Sequence, residues 1–317
     1  MRSAFIHALT GLAKNDRRIV LATGDLGFKV FDDYRYQCPT QFLNVGVAES
    51  NLMGIAAGLA LEGKVPFCYS IASFLTMRPF EHIRNDICFH HANVKLVGVG
   101  GGFSYGPNGP SHHALNDVAL MRTLPEMAVL APGDIHEAAW AVEAAYKHKG
   151  PVYIRLGRAG EGAVHKGPLN MTLGQSILIK DGKDIAILAS GLMLKTAVAA
   201  SALLETQGIS TRAVSFPSVK PLDGPTITES FKDCAHIFTL EEHGSAGGFG
   251  SAVAEFALAN DLPAAKMRII GAPPVTAHQT GSHEYLRAWA GLTPPQIYKT
   301  ILEHRSLALK LKPVSSR

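Results

Sequence analysis

No stretch of the 317-residue chain is apolar for long enough to cross a membrane. Residues 1–20 lack the long apolar core and small-residue cleavage site of a signal peptide. Charge is scarce: Asp, Glu, Lys and Arg make up 18% of the residues and leave a net charge of only +4. The basic residues are scattered, without the Lys/Arg runs that nucleic acid or a membrane surface would attract. The four cysteines, Cys38, Cys68, Cys88 and Cys234, lie far apart, with no CxxC and no Cys/His cluster at zinc spacing. They read as reduced packing residues, so the expected setting is cytoplasmic and no metal ligand set is expected. What the chain does have is 47% hydrophobic residues, 31 glycines and 18 prolines, the composition of a well-buried α/β protein with room for about two domains.

The chain is organised around residues 44–60, NVGVAESNLMGIAAGLA. Small residues alternate with Val45, Val47, Leu52, Ile55 and Leu59, which reads as a short extended lead into a closely packed helix. One acid, Glu49, stands near the start of that helix. A buried carboxylate is costly unless something uses it. It serves either backbone N–H groups at the helix N-terminus or chemistry.

Upstream, residues 3–14 read as a helix and 17–22 as a buried strand running into Thr23-Gly24-Asp25-Leu26-Gly27. A strand that ends in such a turn exposes groups to a ligand in an open α/β sheet, so Asp25 either meets ligand or forms an Asx turn. Residues 28–40 read as irregular and 64–69 as a strand. SFLTMRPFEHIRNDICFH, residues 73–90, reads as a helix that Pro79 kinks or restarts. Phe74, Met77 and Phe80 recur there at spacings of three.

A strand at 94–99 opens into GGGFSYGPNGPSHH, residues 100–113. Its Gly and Pro residues give a fixed, open backbone that delivers two adjacent histidines, His112 and His113. Arg158 follows another strand end and can meet an anionic group. A polar connection at 161–175 precedes a second alternation of strands and helices, so both halves are expected to be doubly wound α/β domains with mainly parallel sheets, 1–165 and 176–317. EEHGSAGGFG, residues 241–250, has the glycine content of a phosphate cradle but matches neither G-x-G-x-x-G nor the P-loop. The final KPVSSR is expected to be loose.

Six segments in order, GDLG, NVGVAESNLMGIAAGLA, SFLTMRPF, GPNGPSHHALNDVALMRTLPEM followed by APGD, SVKPLD and EEHGSAGGFGSAVAE, resemble the C-terminal two-thirds of the transketolase family of thiamine diphosphate enzymes. The resemblance implies a pyrimidine-binding domain followed by the family's C-terminal domain. The Gly-Asp-Gly of the family's diphosphate-binding domain is absent from the sequence. A two-chain transketolase is therefore expected, with an N-terminal partner subunit holding the diphosphate and its Mg2+ or Ca2+, most simply as an α2β2 assembly.

Carried over by motif, Glu49 corresponds to the glutamate that shares a proton with the cofactor's aminopyrimidine, a role suited to a carboxyl group in a dry pocket. Phe74 and Phe80 match aromatic positions beside that ring, Met77 a third position often aromatic, and Asp25 an acid near the thiazolium. His112 matches a histidine acting on the substrate hydroxyls and carbonyl; imidazole suits this because it gives and takes protons near neutral pH. Asn108, His113, Arg158 and Arg2 match substrate-facing positions, the arginines at the phosphate. The implied activity is transfer of a two-carbon ketol unit from a ketose or ketose phosphate to an aldose. Two positions depart from the single-chain enzymes: Asn108 stands where an Asp is frequent, and Gly100 where a further histidine is frequent. Both point to a modified sugar, such as a deoxy sugar or sulfosugar. The alternatives are a subunit like deoxyxylulose-phosphate synthase, a 2-oxo acid dehydrogenase β-like subunit, and a non-catalytic regulatory subunit of the same fold.

Overall fold

The computed structural model describes residues 1–275 and 278–310, with side chains described as far as residue 305. The terminal KPVSSR lies outside the described residues. Two mainly parallel sheets form, each built from short buried strands joined by helices. The strands are β1 (Ile19–Thr23), β2 (Phe42–Asn44), β3 (Val65–Ile71), β4 (Lys95–Val99), β5 (Ala128–Leu130), β6 (Val152–Leu156), β7 (Ile177–Lys180), β8 (Ile185–Ala189), β9 (Thr211–Ser215), β10 (Ser218–Lys220), β11 (His236–Gly244) and β12 (Met267–Ala272). The fold is α/β, as the alternation of segments leads one to expect.

The first sheet runs β10-β5-β6-β4-β3-β1-β2 and the second β12-β11-β8-β9-β7. Strands β4, β6 and β8 are buried along their whole length, which suits the unbroken apolar runs of central parallel strands. Alternate residues feed opposite faces. Leu21, Phe67 and Val97 join one apolar cluster, while Ala22, Cys68 and Leu96 join another. That second cluster continues into Ala186, Leu188 and Val214 of the second sheet and Phe249 of the helix packed on it, so one core is shared between the two units.

Strand β10 crosses back to pair antiparallel with β5, so a segment from the second half of the chain completes the first sheet. The other antiparallel edge strand is β7 on β9.

Two local expectations change, and the break expected at Pro79 is present. Within 28–40, Asp32–Gln37 is a helix; Asp32 and Asp33 suit its N-terminal turn and the fully buried Tyr34 anchors it. The 73–90 segment is broken at Pro79 into Ala72–Met77, Phe80–His82 and a wider turn over Ile83–Cys88. Helices His283–Trp289 and Pro294–Lys310, unread in the sequence, pack Leu286, Ile297 and Ile301 into the second domain's core. No helix among the described residues is long and apolar enough to cross a membrane.

Candidate functional site

The register of the first sheet sets the site. Thr23 pairs with Tyr69, Ile71 with Val99 and Val99 with Leu156, so the chain leaves β1, β3, β4 and β6 along one carboxyl edge. From β1 the chain goes outward to β2, then returns across β1 to β3 and onward to β4 and β6. The gap between β1 and β3 is thus the point where the strand order reverses, the place where open α/β sheets bind ligands.

Glu49 stands at this gap, as the first residue of the helix Glu49–Leu61, and is 3% exposed. It does not cap its own helix. Ser70, just beyond Tyr69 in β3, donates to Oε1 at 3.1 Å, and Arg78 donates from Nη1 to Oε2 at 2.8 Å. The guanidinium of Arg78 also lies over the Phe74 ring, 4.0 Å from its centroid. The edge of His112 meets the same ring, with centroids 4.8 Å apart. Ser73 Oγ donates to the Ser111 carbonyl at 3.2 Å, tying the helix Ala72–Met77 to the histidine loop.

Farther out, Tyr105 lies 6.1 Å from His112, centroid to centroid, and carries the Arg158 guanidinium 4.9 Å from its ring. Burial raises the Tyr105 hydroxyl's titration, opposed by the charges of Arg2 and Arg158, so both arginines bear on this ring. Burial, helped by the Arg78 charge, lowers His112, keeping its imidazole neutral at neutral pH; Nδ1 meets Ser111 Oγ at 3.0 Å.

The structure therefore brings Glu49, Phe74, His112, Arg158 and Arg2 along one edge. Asp25 lies on the neighbouring turn at a φ of 57°, held by Asn44, whose Nδ2 donates to its Oδ1 at 2.9 Å. Asn108 is exposed in the short turn Gly106–Asn108. Phe80 is not brought into ring contact with Phe74; it packs on the apolar cluster behind the site. Met77 and His113 turn instead toward a cavity of about 380 Å³ between the domains, bounded by Ser245 and Val275. His113 is buried with Phe103 against its ring at 5.2 Å, and neither ring nitrogen closes a well-formed hydrogen bond. Burial lowers its titration.

Gly100 departs from the frequent histidine for a steric reason. It holds a φ of 88°, and any Cβ there would run into the Tyr105 ring. Tyr105 therefore takes the space that a side chain at 100 would need.

The histidine loop is braced from the second domain. Glu242 accepts from Phe103 N at 2.7 Å, His283 Nε2 at 2.7 Å and Arg287 Nε at 2.6 Å. Arg155 donates to the Ala114 and Glu242 carbonyls and to Asp117, which also accepts from Tyr153. Glu241 explains the glycine-rich segment. Its carboxylate accepts from Phe249 N at 2.7 Å and Gly250 N at 2.8 Å, filling the helix N-terminus that a phosphate would need. Burial nonetheless raises Glu241 to about 7.

Sequence motifs did not mark Ser70, Arg78, Tyr105 or the Glu242 brace. Of these, Arg78 alone carried a usable signal: it lies four residues after Phe74, on the same helical face.

Residues 1–160 match the family model of the transketolase pyrimidine-binding domain, and residues 174–297 that of the transketolase C-terminal domain. The chain belongs to the transketolase family. It is a transketolase-type transferase chain, 36% identical over 304 residues to a subunit of the apulose-4-phosphate transketolase of Phocaeicola vulgatus, covering 95% of this chain and 96% of that one. It is 33% identical to the 6-deoxy-6-sulfo-D-fructose transketolase subunit SqwH of Clostridium sp. strain MSTE9, over 96% of this chain and 94% of that one. A solved structure described as a split-gene transketolase, inactive β4 tetramer, superposes with a TM-score of 0.87 at 37% identity, covering 95% and 97% of the two chains. In this transketolase-family fold, the pyrimidine-binding unit contains the Glu49 edge and the C-terminal unit supplies the brace beneath the histidine loop.

Proposed function

We propose that the chain is the C-terminal subunit of a two-chain transketolase that moves a two-carbon ketol unit from a ketose donor to an aldose acceptor. The observation that carries this is the buried Glu49 at the sheet's reversal point, beside the Phe74 face and the His112 edge. These residues fit the aminopyrimidine half of thiamine diphosphate: a carboxylate kept from water and an aromatic face adjoining it. Among the described residues no group of three or more His, Cys, Asp and Glu stands together to hold a metal ion. We assign the diphosphate and its Mg2+ or Ca2+ to an N-terminal partner subunit.

When bound, thiamine diphosphate supplies the nucleophilic carbon and the electron sink. Glu49 would hold a shared proton toward the pyrimidine through one carboxylate oxygen, with Ser70 orienting the other. Phe74 would offer its face to that ring. His112, neutral and linked to Ser111 through Nδ1, gives or takes a proton at the sugar's carbonyl and hydroxyl oxygens. Asp25 would lie toward the thiazolium, and Phe80 would support the ring pocket from the apolar cluster behind it, while Met77 faces the cavity between the domains. Asn108 serves the sugar-binding side, while His113 faces the cavity between the domains with Phe103 against its ring. Arg158 and Arg2, gathered at Tyr105, receive the anionic end of the substrate. The modified sugars named for the two relatives support a modified or anionic ketose rather than ordinary pentose phosphates.

Phe28, Tyr36 and Val47 on the first domain are each more than 70% exposed, which supports burial against other subunits in an α2β2 assembly, and the four free, buried cysteines support a cytoplasmic setting. The test is co-expression with a candidate diphosphate-binding subunit and calorimetry of thiamine diphosphate on each chain and on the pair. Magnesium-dependent binding by the pair alone is expected. Tight binding by this chain alone refutes the shared site.

A further inference from the structure

We propose that Arg78 and the cofactor's aminopyrimidine compete for one seat, so that displacing Arg78 sets the affinity for thiamine diphosphate. The inference rests on the function proposed above.

Arg78 follows the helix Ala72–Met77 and turns back across it. Its planar guanidinium stacks 4.0 Å from the Phe74 centroid and donates an N–H to Glu49 Oε2 at 2.8 Å. A flat, nitrogen-bearing ring that stacks on Phe74 and pairs with Glu49 needs these same two contacts. Both occupants cannot use that face and that oxygen together. The second Glu49 oxygen is already taken by Ser70, and the Phe74 edge is met by His112, so neither occupant has an alternative nearby.

The two partners differ in freedom. Glu49 is 3% exposed, whereas the Arg78 side chain is 48% exposed and rooted at a helix end, so Arg78 is the member that can leave. Its presence pairs a buried carboxylate that would otherwise be costly to ionise. Its departure frees Oε2 to share a proton, while burial, the larger cause, still keeps His112 lowered. Opening the seat thus frees both contacts that the ring needs, the Phe74 face and Glu49 Oε2.

A seat held by Arg78 about 90% of the time lowers the apparent cofactor affinity about tenfold. The test uses the full chain co-expressed with a diphosphate-binding subunit, with thiamine diphosphate and Mg2+ measured by calorimetry. Arg78→Met and Arg78→Gln both remove the charged occupant and are expected to bind about tenfold more tightly than wild type. Arg78→Lys keeps the charge without the planar stack and is expected to fall between. Folding is checked by melting each variant, and the Met and Gln forms back one another should either fail to assemble. Unchanged or weaker binding by Arg78→Met or Arg78→Gln overturns the proposal while the function stands, weaker binding marking Arg78 as a support for the cofactor. Absence of binding by every pair, wild type included, overturns the proposed function and this inference with it.

Discussion

Replacing Glu242 by alanine tests how the second domain holds the histidine loop. The residue is 1% exposed and accepts from Phe103 N of the loop and from His283 and Arg287 of its own domain. Truncation leaves the Phe103 N–H unpaired and the Arg287 charge partly buried without its partner. Such losses cost about 3–5 kcal/mol. The titration of the group gives a second route to the magnitude. Burial raises the Glu242 carboxyl, but Arg287 and His283 outweigh it and hold the group at about 2 against an ordinary 4.5. That difference is worth about 3 kcal/mol. Because the folded value is the lower one, this stability is fully present above about pH 4.5 and is lost as the pH falls toward about 2. Thermal melting of the isolated chain, followed by circular dichroism, should place Glu242→Ala about 5–8 °C below wild type at pH 7. The gap should narrow at pH 3. Glu242→Gln keeps an acceptor for Phe103 and should lose about half as much. A Glu242→Ala chain melting within 2 °C of wild type at pH 7, or showing an undiminished gap at pH 3, refutes the reasoning.

Glu49→Gln should reduce the hydrogen-exchange rate at the reactive carbon of bound thiamine diphosphate by about 10²–10⁴-fold, measured by NMR on the two-chain enzyme. Its melting temperature should stay within a few degrees, because the lost pair is with a half-exposed Arg78 and contributes at most about 1 kcal/mol; retained exchange sinks the catalytic assignment. Gly100→Ala should cost about 2 kcal/mol or more in urea unfolding, since its φ of 88° suits glycine and its Cβ meets Tyr105. The added Tyr105→Ala should recover only the steric part, and full additivity of the two changes would show that the ring is not the obstacle. Arg158→Met should raise KM for an anionic ketose about 10–100-fold with a smaller change in kcat, and an equal loss for an uncharged ketose would remove the anion assignment.

Much of this protein was legible because its signals are local. A helix rich in small residues with one acid at its start marked Glu49, and the glycine-rich run after a strand marked His112 and His113. The alternation of strand and helix declared two α/β units, since hydrophobic periodicity and turn chemistry act over a few residues. What joins distant positions was not legible. Nothing in EEHGSAGGFG says that Glu241 fills its own helix end while Glu242 reaches back to Phe103. Nor does SVKPLD reveal that β10 closes the first sheet. His112 and His113 are adjacent in sequence, yet one meets Phe74 and the other turns to the cleft between domains. The sequence by itself determined most strands and helices of the two alternating units and which loops carry chemistry, because those follow from side-chain spacing. Tertiary structure alone decided that Arg78 sits between Glu49 and Phe74, because that pairing closes across 29 residues of chain and exists only once β3 is laid beside β1.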